Sequence, residues 1–385
     1  MSRLKELIER LCPDGVPFVK LGDYINIYTG DQFNKRDMST SGSYPVVNGG
    51  INPSGFIESY NEPRDTISIS QGGASAGYVA WQDTPFWAGA HCYVIRPDSK
   101  LIINRFLYFF LKNKESYLQQ MQHGAGIPAL NRDKIKELKF PLVPIEVQEE
   151  IVRILDTFCA YAAELQAELQ ARKEQYEYYR NLLLTFNPSA CGCGTDGEQE
   201  IKITTCGGGN YTVIWKAMGE IARIYSGSNK QKLSRGKFPV YGSTGIIAYC
   251  NKPTYRKQQI LIARVGANAG FTHLTTSDEY DVSDNTLIVD LNGKYNLKFI
   301  FHYLVNYNPN RLAKGGGQPL VTASEIKKIC IPIPPIEHQK KIVAILDRFE
   351  ALVNDLTQGL PAEIAAVRER YEYYRNKLLT FKRIA

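Results

Sequence analysis

The chain has 385 residues, of which 44% are hydrophobic and 22% charged, a composition typical of a folded protein with more than one core. No apolar run approaches the roughly 18 residues of a membrane span, and residues 1–10 carry acidic side chains, unlike a signal peptide. We therefore expect a cytoplasmic protein with no membrane partner. The eight cysteines are scattered along the chain, which favours reduced thiols.

The formal net charge of +7 is unevenly distributed. Residues 1–140 carry +2, residues 141–186 carry −4, residues 187–331 carry +7 and residues 332–385 carry +2. Basic surface attracts phosphate backbones at long range, so a polyanionic partner is consistent with this balance. Many proteins of similar charge bind no nucleic acid, and the charge alone does not decide between the two cases.

The first 140 residues predict a strand-rich domain. Short runs of β-branched and aromatic residues alternate with glycine-containing turns, a pattern of strands and loops. In chain order the segments are a strand at 24–30, a polar loop, strands at 44–47 and 66–70, a glycine turn at 73–77, a helix at 106–111 and a second glycine loop at 124–128.

A long helix is predicted next, from about residue 144 to residue 186. Apolar or aromatic positions, with one arginine among them, follow an unbroken three-four spacing, which is the seam of a coiled coil. Pro144 suits the first helical position and Glu146 the positive end of the helix dipole. The seam consists of positions 155, 158, 162, 165, 169, 172, 176, 179 and 183.

The second half of the chain repeats this order. A glycine-rich linker at 187–210 leads to strand signals at 221–227, 238–241 and 260–264, a glycine turn at 266–270, a helix at 299–304 and a loop at 315–319. A second coiled-coil seam begins near residue 346, but a four-residue insertion breaks it at Gly359–Glu363. Proline at 361 excludes helical backbone before it, so we expect this helix to kink or restart there.

The repetition is close to literal in the helices. Tyr176–Phe186 and Tyr371–Phe381 differ at one position, Leu182 against Lys377. Pro141–Gln148 and Pro332–Gln339 share the pattern Pro-x-x-Pro-Ile-Glu-x-Gln. A period near 191 residues is far too long for a solenoid, so each copy is a domain-sized unit.

The glycine turns admit two interpretations, which the sequence leaves open: tight turns and nothing more, or backbone that approaches a ligand closely. Arginine pairs well with guanine edges and asparagine or glutamine with adenine edges, while lysine and arginine contact phosphate. The candidate DNA-binding residues are Lys35, Arg36, Gln71, Ser75, Lys230, Lys232, Arg235, Lys237, Arg264, Asn268 and Gln318.

Two tyrosines and two arginines in the repeated helical segment lie off the seam yet are identical in both copies: Tyr178, Arg180, Tyr373 and Arg375. For the seam residues a purely structural role is sufficient. Identity at positions outside the seam suggests the same external contact made twice, so we expect these four to dock two copies of one partner.

Signatures of catalysis are absent from the sequence. There is no phosphate-binding loop, no His-Glu-x-x-His and no Asn-Pro-Pro-Tyr tetrapeptide. Glu325–Lys327 has the spacing of a nuclease fragment without an upstream carboxylate, and we interpret it as a solvated helix face. The cysteines at 191, 193 and 206 lack paired Cys-x-x-Cys spacing. We expect no catalytic residue and no metal, and the role of these cysteines is not determined.

Two variable globular halves, each followed by Pro-x-x-Pro-Ile-Glu-x-Gln and a helix with Tyr-Glu-Tyr-Tyr-Arg-Asn, resemble the DNA-specificity subunit of type I restriction-modification systems over essentially the whole chain. The resemblance implies an α+β fold, with two pseudo-symmetric strand-rich α/β target-recognition domains separated by two long antiparallel helices forming a coiled coil. The implied boundaries are target-recognition domains at 1–140 and 216–331, spacer helices at 141–186 and 332–385, and a linker with the start of the second half at 187–215.

The resemblance also implies the partners. Each domain would read one half of a bipartite site in double-stranded DNA, the helices would set the spacing, and two methylation subunits would dock on them. S-adenosylmethionine, ATP and magnesium would bind to partner subunits, including restriction subunits, and this chain would hold no cofactor. The alternative is a non-catalytic protein-binding scaffold with a coiled-coil oligomerisation stalk, for which no neighbouring methyltransferase gene is expected.

Overall fold

The chain forms two compact units, one of residues 1–166 with 363–385 and one of residues 167–362. The structure, a computed structural model, describes residues 2–124, 128–186, 200–204, 210–229, 236–315, 317–354 and 358–384, with backbone only at 2, 35, 200–204 and 210. Within the described helices, none combines the length and apolar character that a bilayer span requires.

The first unit contains nine strands and the helices that pack on them in its described part. The strands are β1 Phe18–Lys20, β2 Ile25–Thr29, β3 Tyr44–Val47, β4 Phe56–Ile57, β5 Thr66–Ser70, β6 Val79–Gln82, β7 Trp87–Ala88, β8 Cys92–Pro97 and β9 Lys139–Pro141. The helices are α1 Ser2–Leu11, α2 Asn104–Asn113, α3 Glu115–Gln120 and α4 Arg132–Lys136, followed by α5 Ile145–Leu184, which continues into the second unit.

The second unit largely repeats this inventory and has one more described strand. Its described strands are β10 Glu200–Thr204, β11 Asn210–Ala217, β12 Ala222–Ser226, β13 Phe238–Gly242, β14 Gly245–Cys250, β15 Ile260–Ala263, β16 Thr272–Leu274, β17 Asp281–Val282, β18 Thr286–Leu291 and β19 Cys330–Ile333. Its helices are α6 Met218–Ile221, α7 Leu297–Tyr307, α8 Ala323–Lys327 and α9 Ile336–Asn354, and α10 Leu360–Leu378 returns the chain to the first unit.

The described strands of the two units share the topology of two sheets and differ in a third, which is β1-β9 in the first unit and β10-β11-β19 in the second. Each has a four-stranded antiparallel sheet, with strand order β2-β8-β5-β6 in the first unit and β12-β18-β15-β16 in the second. Each also has a three-stranded sheet, β4-β3-β7 or β14-β13-β17, in which the last pair is parallel. The predicted pseudo-symmetric, strand-rich α+β fold is therefore confirmed.

The central strand of each four-stranded sheet is buried on both faces. All five residues of β5 and all four residues of β15 are buried, because a helix packs on one side of the four-stranded sheet and residues of the three-stranded sheet pack on the other. On the helix side of the first unit, Phe106 and Phe110 both meet Phe140 edge-to-face, with ring centroids 5.8 and 5.0 Å apart. Such aromatic pairs add to the free energy gained from burial.

The repeated helical segment completes both cores. Leu378 and Leu379, from the second copy, are buried in the core of the first unit. Leu184 and Phe186, from the first copy, are buried in the core of the second unit, where Phe186 meets Phe299 edge-to-face. Each globular domain thus depends on the copy of the repeat that does not follow it directly in sequence.

The predicted coiled-coil seam is confirmed in α5. Every seam position from 155 to 183 is buried or half-buried. The helix is 40 residues long, which is about 60 Å at 1.5 Å per residue. The break in the second copy is also confirmed, since α9 ends at Asn354 and α10 begins at Leu360.

Aromatic contacts join α5 to a different helix in each unit. In the first unit Phe158 stacks on Tyr374 of α10, with ring centroids 5.4 Å apart. In the second unit Tyr179 stacks on Phe349 of α9 at 5.5 Å. α5 therefore packs on α10 over one part of its length and on α9 over another part.

The thiols differ in part from the expectation. Cys12, Cys92, Cys159 and Cys250 are free, as predicted. Cys330 is disulfide-bonded, so the prediction of reduced thiols is wrong at this position. Pairing depends on which Cβ atoms folding brings close together, and spacing in the sequence does not give that.

The shared completion of the cores predicts the effect of one matched pair of substitutions. Leu184→Ala and Leu379→Ala remove equivalent buried side chains, each at a cost of about 2–5 kcal/mol. Hydrogen exchange followed by mass spectrometry should show faster exchange of β15 and β18 in the first variant, and of β5 and β8 in the second. Faster exchange of the domain that precedes each site in sequence would contradict this division.

Candidate nucleic-acid interface

The two glycine loops of the first unit lie side by side. The N–H of Gly73 donates to the carbonyl of Pro128 at 2.8 Å, and the N–H of Leu130 donates to the carbonyl of Gln71 at 2.8 Å. The sequence places these loops about 50 residues apart, and the structure joins them through backbone hydrogen bonds. Gln71 stands where the two loops meet.

The second unit makes the same two bonds. The N–H of Gly266 donates to the carbonyl of Pro319 at 3.0 Å, and the N–H of Val321 donates to the carbonyl of Arg264 at 2.8 Å. Arg264 therefore occupies the position that Gln71 has in the first unit. The matching backbone thus carries an amide, Gln71, in one unit and a guanidinium, Arg264, in the other. These two groups can form hydrogen bonds with different base edges.

The glycines of these turns serve two different purposes. Gly73 and Gly266 have φ of +79° and +84°, and no described atom lies within 4 Å of where a Cβ would be. Gly77 and Gly270 both have φ of +88° and also approach protein backbone, since a Cβ would collide with the nitrogen of Gln119 or with that of Asn310. Both glycines of each turn thus permit a left-handed backbone conformation, and the last one also permits close packing.

The candidate residues of the first half fall on two elements. Gln71 and Ser75 belong to the joined loops and are half-buried. Arg36 is exposed and lies in a separate 3-10 turn, Lys35–Asp37. The side chain of Lys35 lies outside the described part of the chain. None of these assignments to DNA is tested by the geometry, and each stays a prediction.

The candidate residues of the second half are similarly divided. Asn268 and Gln318 are exposed on the joined loops, and the guanidinium of Arg264 is half-buried with one nitrogen 3.4 Å from the hydroxyl of Ser226. Lys237 is exposed at the start of β13, with its Nζ 5.9 Å from the ring centroid of Phe238. The remaining candidates, Lys230, Lys232 and Arg235, lie outside the described residues. All of these stay predictions.

Sequence reasoning missed the strand that follows β13. Three large apolar side chains of β14 are exposed, namely Ile246 at 48%, Ile247 at 53% and Tyr249 at 43%. The signal was present in the run from Gly245 to Tyr249, but this run does not alternate between apolar and polar residues. Because a half-buried strand is recognised by that alternation, the run was not singled out.

An aromatic row lies beside this hairpin. The ring of His273 stacks on exposed Phe271 and tilts against Tyr241 of β13, with both centroid distances 5.8 Å. Burial lowers the pKa of His273 to about 4, so the imidazole is neutral at physiological pH. Phe271 therefore adds exposed apolar surface here, and the neighbouring imidazole adds no charge.

The repeated tyrosines have the exposure that docking requires. Tyr178 is 62% exposed and Tyr373 is 58% exposed. Each packs edge-to-face on the tyrosine after it, Tyr179 or Tyr374, at 5.4 and 5.2 Å. The neighbour holds the exposed ring in place, which lowers the entropy lost when a partner binds. The docking role itself stays a prediction.

The repeated arginines also have contacts inside the protein. Arg180 lies over the ring of Tyr176 at 5.4 Å, and Arg375 lies over the ring of Tyr371 at 5.3 Å. The Nε of Arg375 additionally donates to Asn113 at 3.2 Å. Burial raises the pKa of both tyrosines, so they stay protonated beside the cations. These contacts supply one reason for the identity of the arginines that does not involve a partner.

Comparison with known proteins bears on this geometry. The family model for the type I restriction modification DNA specificity domain matches residues 13–174 and again residues 215–366. The chain belongs to this family. The resemblance inferred from the sequence is therefore confirmed, and the two matches coincide with the internal repeat.

Relatives in the family match the chain over nearly its whole length. The specificity subunit of the Escherichia coli type I restriction enzyme EcoR124I/EcoR124II is 29% identical and covers 99% of this chain and 97% of its own. The putative type I restriction enzyme specificity subunit S.HindORF215P of Haemophilus influenzae is 29% identical, with 90% of each chain covered. The type I S subunit of M. genitalium, a crystal structure, shares the fold with a TM-score of 0.61 at 19% identity, covering 95% of this chain and 96% of that one.

One cluster in this family member has donor atoms suited to a metal. His302, Asp347 and Glu350 bring their ligand atoms within 4.8 Å of one another. Both oxygens of Asp347 are already engaged, one with Nε2 of His302 at 3.2 Å and one with Nζ of Lys298 at 2.6 Å. We assign the group a structural role in holding α7 against α9. The cysteines at 191, 193 and 206 lie outside the described residues.

Glu325 caps a helix. Its side chain accepts from the N–H of Thr322 at 3.0 Å, the Thr322 hydroxyl accepts from the Glu325 N–H, and Nζ of Lys314 lies 2.7 Å away. The Lys314 side chain, with the Thr322 N–H and hydroxyl, lowers the pKa of Glu325 to about 2. The interpretation as a solvated helix face is wrong for this carboxylate, because it is half-buried and its oxygens are engaged in a capping box at the start of α8.

The capping box predicts a pH-dependent contribution to the stability of the second unit. Since the folded pKa lies below the ordinary value of 4.5, the stabilisation by charged Glu325 is complete above that value and is lost as the pH falls toward 2. Glu325→Ala should lower stability by about 1 kcal/mol at pH 7. Glu325→Gln, which keeps a capping side chain, should lower the free energy of unfolding by a smaller amount.

Denaturant unfolding of both variants across this pH range measures the effect. The difference between Glu325→Gln and the unmodified chain should shrink steadily between pH 4.5 and pH 2. A difference independent of pH would show that the charge of Glu325 has no part in stability.

Proposed function

We propose that the chain is the sequence-specificity subunit of a type I restriction-modification complex and reads a bipartite site in double-stranded DNA. The observation that carries the proposal is one architecture present twice with different side chains on matching loops, such as Gln71 and Arg264. Equivalent scaffolds with different reading residues suit a site whose two halves differ in sequence. Proteins that bind paired half-sites commonly use two copies of one fold for this purpose.

Each domain in this proposal reads its half-site with the joined glycine loops and the nearby hairpin. Amide and guanidinium side chains supply the hydrogen bonds that distinguish base edges. Exposed cations such as Arg36 and Lys237 contact phosphate and set the register without reading sequence. The second domain is the more basic, so it supplies more of the salt-dependent affinity.

The helices in this proposal have two tasks. They set the spacing between the half-sites, since α5 is one continuous helix through both units. They also dock two methylation subunits, each on one copy of the exposed tyrosine surface around Tyr178 or Tyr373. Two nearly identical surfaces on one chain account for two identical partners.

The chemistry in this proposal belongs to the partners. The methylation subunits bind S-adenosylmethionine and methylate adenine after it leaves the base stack. Restriction subunits bind ATP and magnesium and cleave DNA in the full complex. This chain contributes recognition and geometry and no catalytic group.

Domain exchange tests the proposal directly. When the chain is expressed with its methylation subunit, genome-wide mapping of methylated adenine should reveal one bipartite motif. Replacing residues 1–140 with the equivalent domain of another family member should change one half of that motif and leave the other half and the spacing intact. A change in both halves, or no motif in cells with the unmodified chain, would refute the proposal.

The docking surfaces generate a second prediction. Tyr178→Ser and Tyr373→Ser should each reduce the complex from two methylation subunits to one, and the double variant should bind neither. An exposed interface tyrosine of this kind is worth about 2 kcal/mol or more, roughly a 30-fold loss of affinity. Native mass spectrometry gives the stoichiometry.

Tyr117→Ser is the matched control, because Tyr117 is also exposed but lies on α3, outside the repeat. This variant should keep two methylation subunits. Unchanged stoichiometry in the double variant would place the docking surface elsewhere on the chain.

A further inference from the structure

The hairpin of β13 and β14 exposes an unusual amount of apolar surface. β14 is the edge strand of its sheet, and Ile246, Ile247 and Tyr249 are all exposed on it. Edge strands are ordinarily protected by charged residues, proline or twist, because an exposed apolar edge invites association. Exposed apolar clusters of this kind mark binding surfaces.

The side chains at the hairpin tip are held in place by the backbone. The connection from Gly242 to Gly245 is short, and Gly245 has φ of +100°. Ile247 lies across Gly242, where an added Cβ would come within 2.8 Å of its Cδ1. The bulge between Val240 and Tyr241 shifts the register of the pair. Bulges turn side chains out of the regular alternation, which accounts for adjacent isoleucines that are both exposed.

The charge around the hairpin favours a polyanionic occupant. Residues 227–256 contain six basic residues and no acidic residue. Among those that the structure describes, Lys237 and Lys252 are exposed at the open end of the hairpin, opposite its turn, and exposed Arg256 lies 3.9 Å from Glu279. An apolar tip with cations at the opposite end of the hairpin matches a nucleic-acid groove, where the base edges lie deeper than the two rows of phosphates.

The equivalent hairpin of the first unit, β3–β4, differs in its charge and in its exposed apolar side chains. Its residues 30–60 contain two basic and three acidic residues. Ile51 is an exposed apolar side chain of the longer, polar connection between β3 and β4. A general requirement of the fold would have kept the two hairpins alike. The apolar and basic character is therefore a property of the second domain.

We propose that the hairpin β13–β14 enters the major groove of the second half-site and that Ile246 and Ile247 contact thymine methyl groups there. The inference rests on the proposed function and identifies the group that is read. A two-stranded ribbon fits the width of the major groove, and the thymine C5-methyl is the apolar group that bases present in it. Phe271 is also exposed, and its ring stacks on His273, which tilts against Tyr241 of the hairpin.

Replacement of thymine by uracil tests the contact, because uracil lacks only this methyl group. Duplexes carrying the mapped motif receive uracil at each thymine of the second half-site in turn, and binding of the complex with its methylation subunits is measured. Affinity should fall about fourfold at each contacted position, the factor that corresponds to about 0.8 kcal/mol for one buried methylene-sized group. No loss at any thymine overturns the inference.

The double variant Ile246→Ser, Ile247→Ser provides the second arm. It should bind the thymine duplex more weakly than the unmodified complex and should no longer distinguish thymine from uracil. Thermal unfolding checks that the exposed positions tolerate serine. Ile247→Thr, which keeps β-branching, should reduce the discrimination between thymine and uracil by a smaller amount. Leu101→Ser, an exposed apolar position on the first unit, is the matched control and should change nothing.

The outcomes separate the inference from the function on which it rests. If the unmodified complex methylates a bipartite motif and the double variant binds and discriminates equally well, the hairpin does not read thymine and the proposed function stands. If the double variant loses a methylation subunit in native mass spectrometry, the hairpin is a protein-docking surface and the inference is wrong. If the unmodified complex methylates no motif, the proposed function fails with it.

Discussion

The burial of each repeated helical segment in the core of a globular domain is the interaction on which the rest of the structure depends. Leu184 and Phe186 complete the second core, and Leu378 and Leu379 complete the first. Large apolar side chains are removed from water where each segment packs on its domain. Neither domain therefore has a complete hydrophobic core without the helix whose end packs on it. The near identity of the two segments follows, because each must fit the same kind of site in a domain of the same fold.

This arrangement separates the parts that must stay constant from the parts that can vary. Core positions and helix seams are constrained by packing, since a change in volume is felt throughout a closely packed interior. The joined glycine loops meet solvent, and their side chains differ between the units while their backbone hydrogen bonds are the same. A chain built in this way can acquire a new reading surface without losing its fold, which suits a recognition subunit.

Much of the fold could be predicted because its signals are local. The coiled-coil seam, the break before Leu360 and the glycine turns each follow from periodicity, proline geometry or positive φ. The candidate site was harder to predict from the sequence. The pairing of Gln71 with the loop at 124–130 joins residues far apart in sequence, and the exposure of Ile246 and Ile247 depends on a bulge and on an edge position in the sheet. Glu325 looked like a surface residue because its partner Lys314 precedes it by eleven positions in a loop.

The sequence by itself determined the duplication, the helices, the strand-rich character of both halves and the family, because these depend on repeated motifs and on short-range patterns of apolar residues. Only the tertiary structure decided which copy of the repeat completes which core, how α5 divides its length between two helices, and which side chains remain exposed for recognition. The physical reason is that burial is a property of three-dimensional packing. Two equally apolar segments can lie in a core or on a surface, and the neighbours that decide between these are distant in the chain.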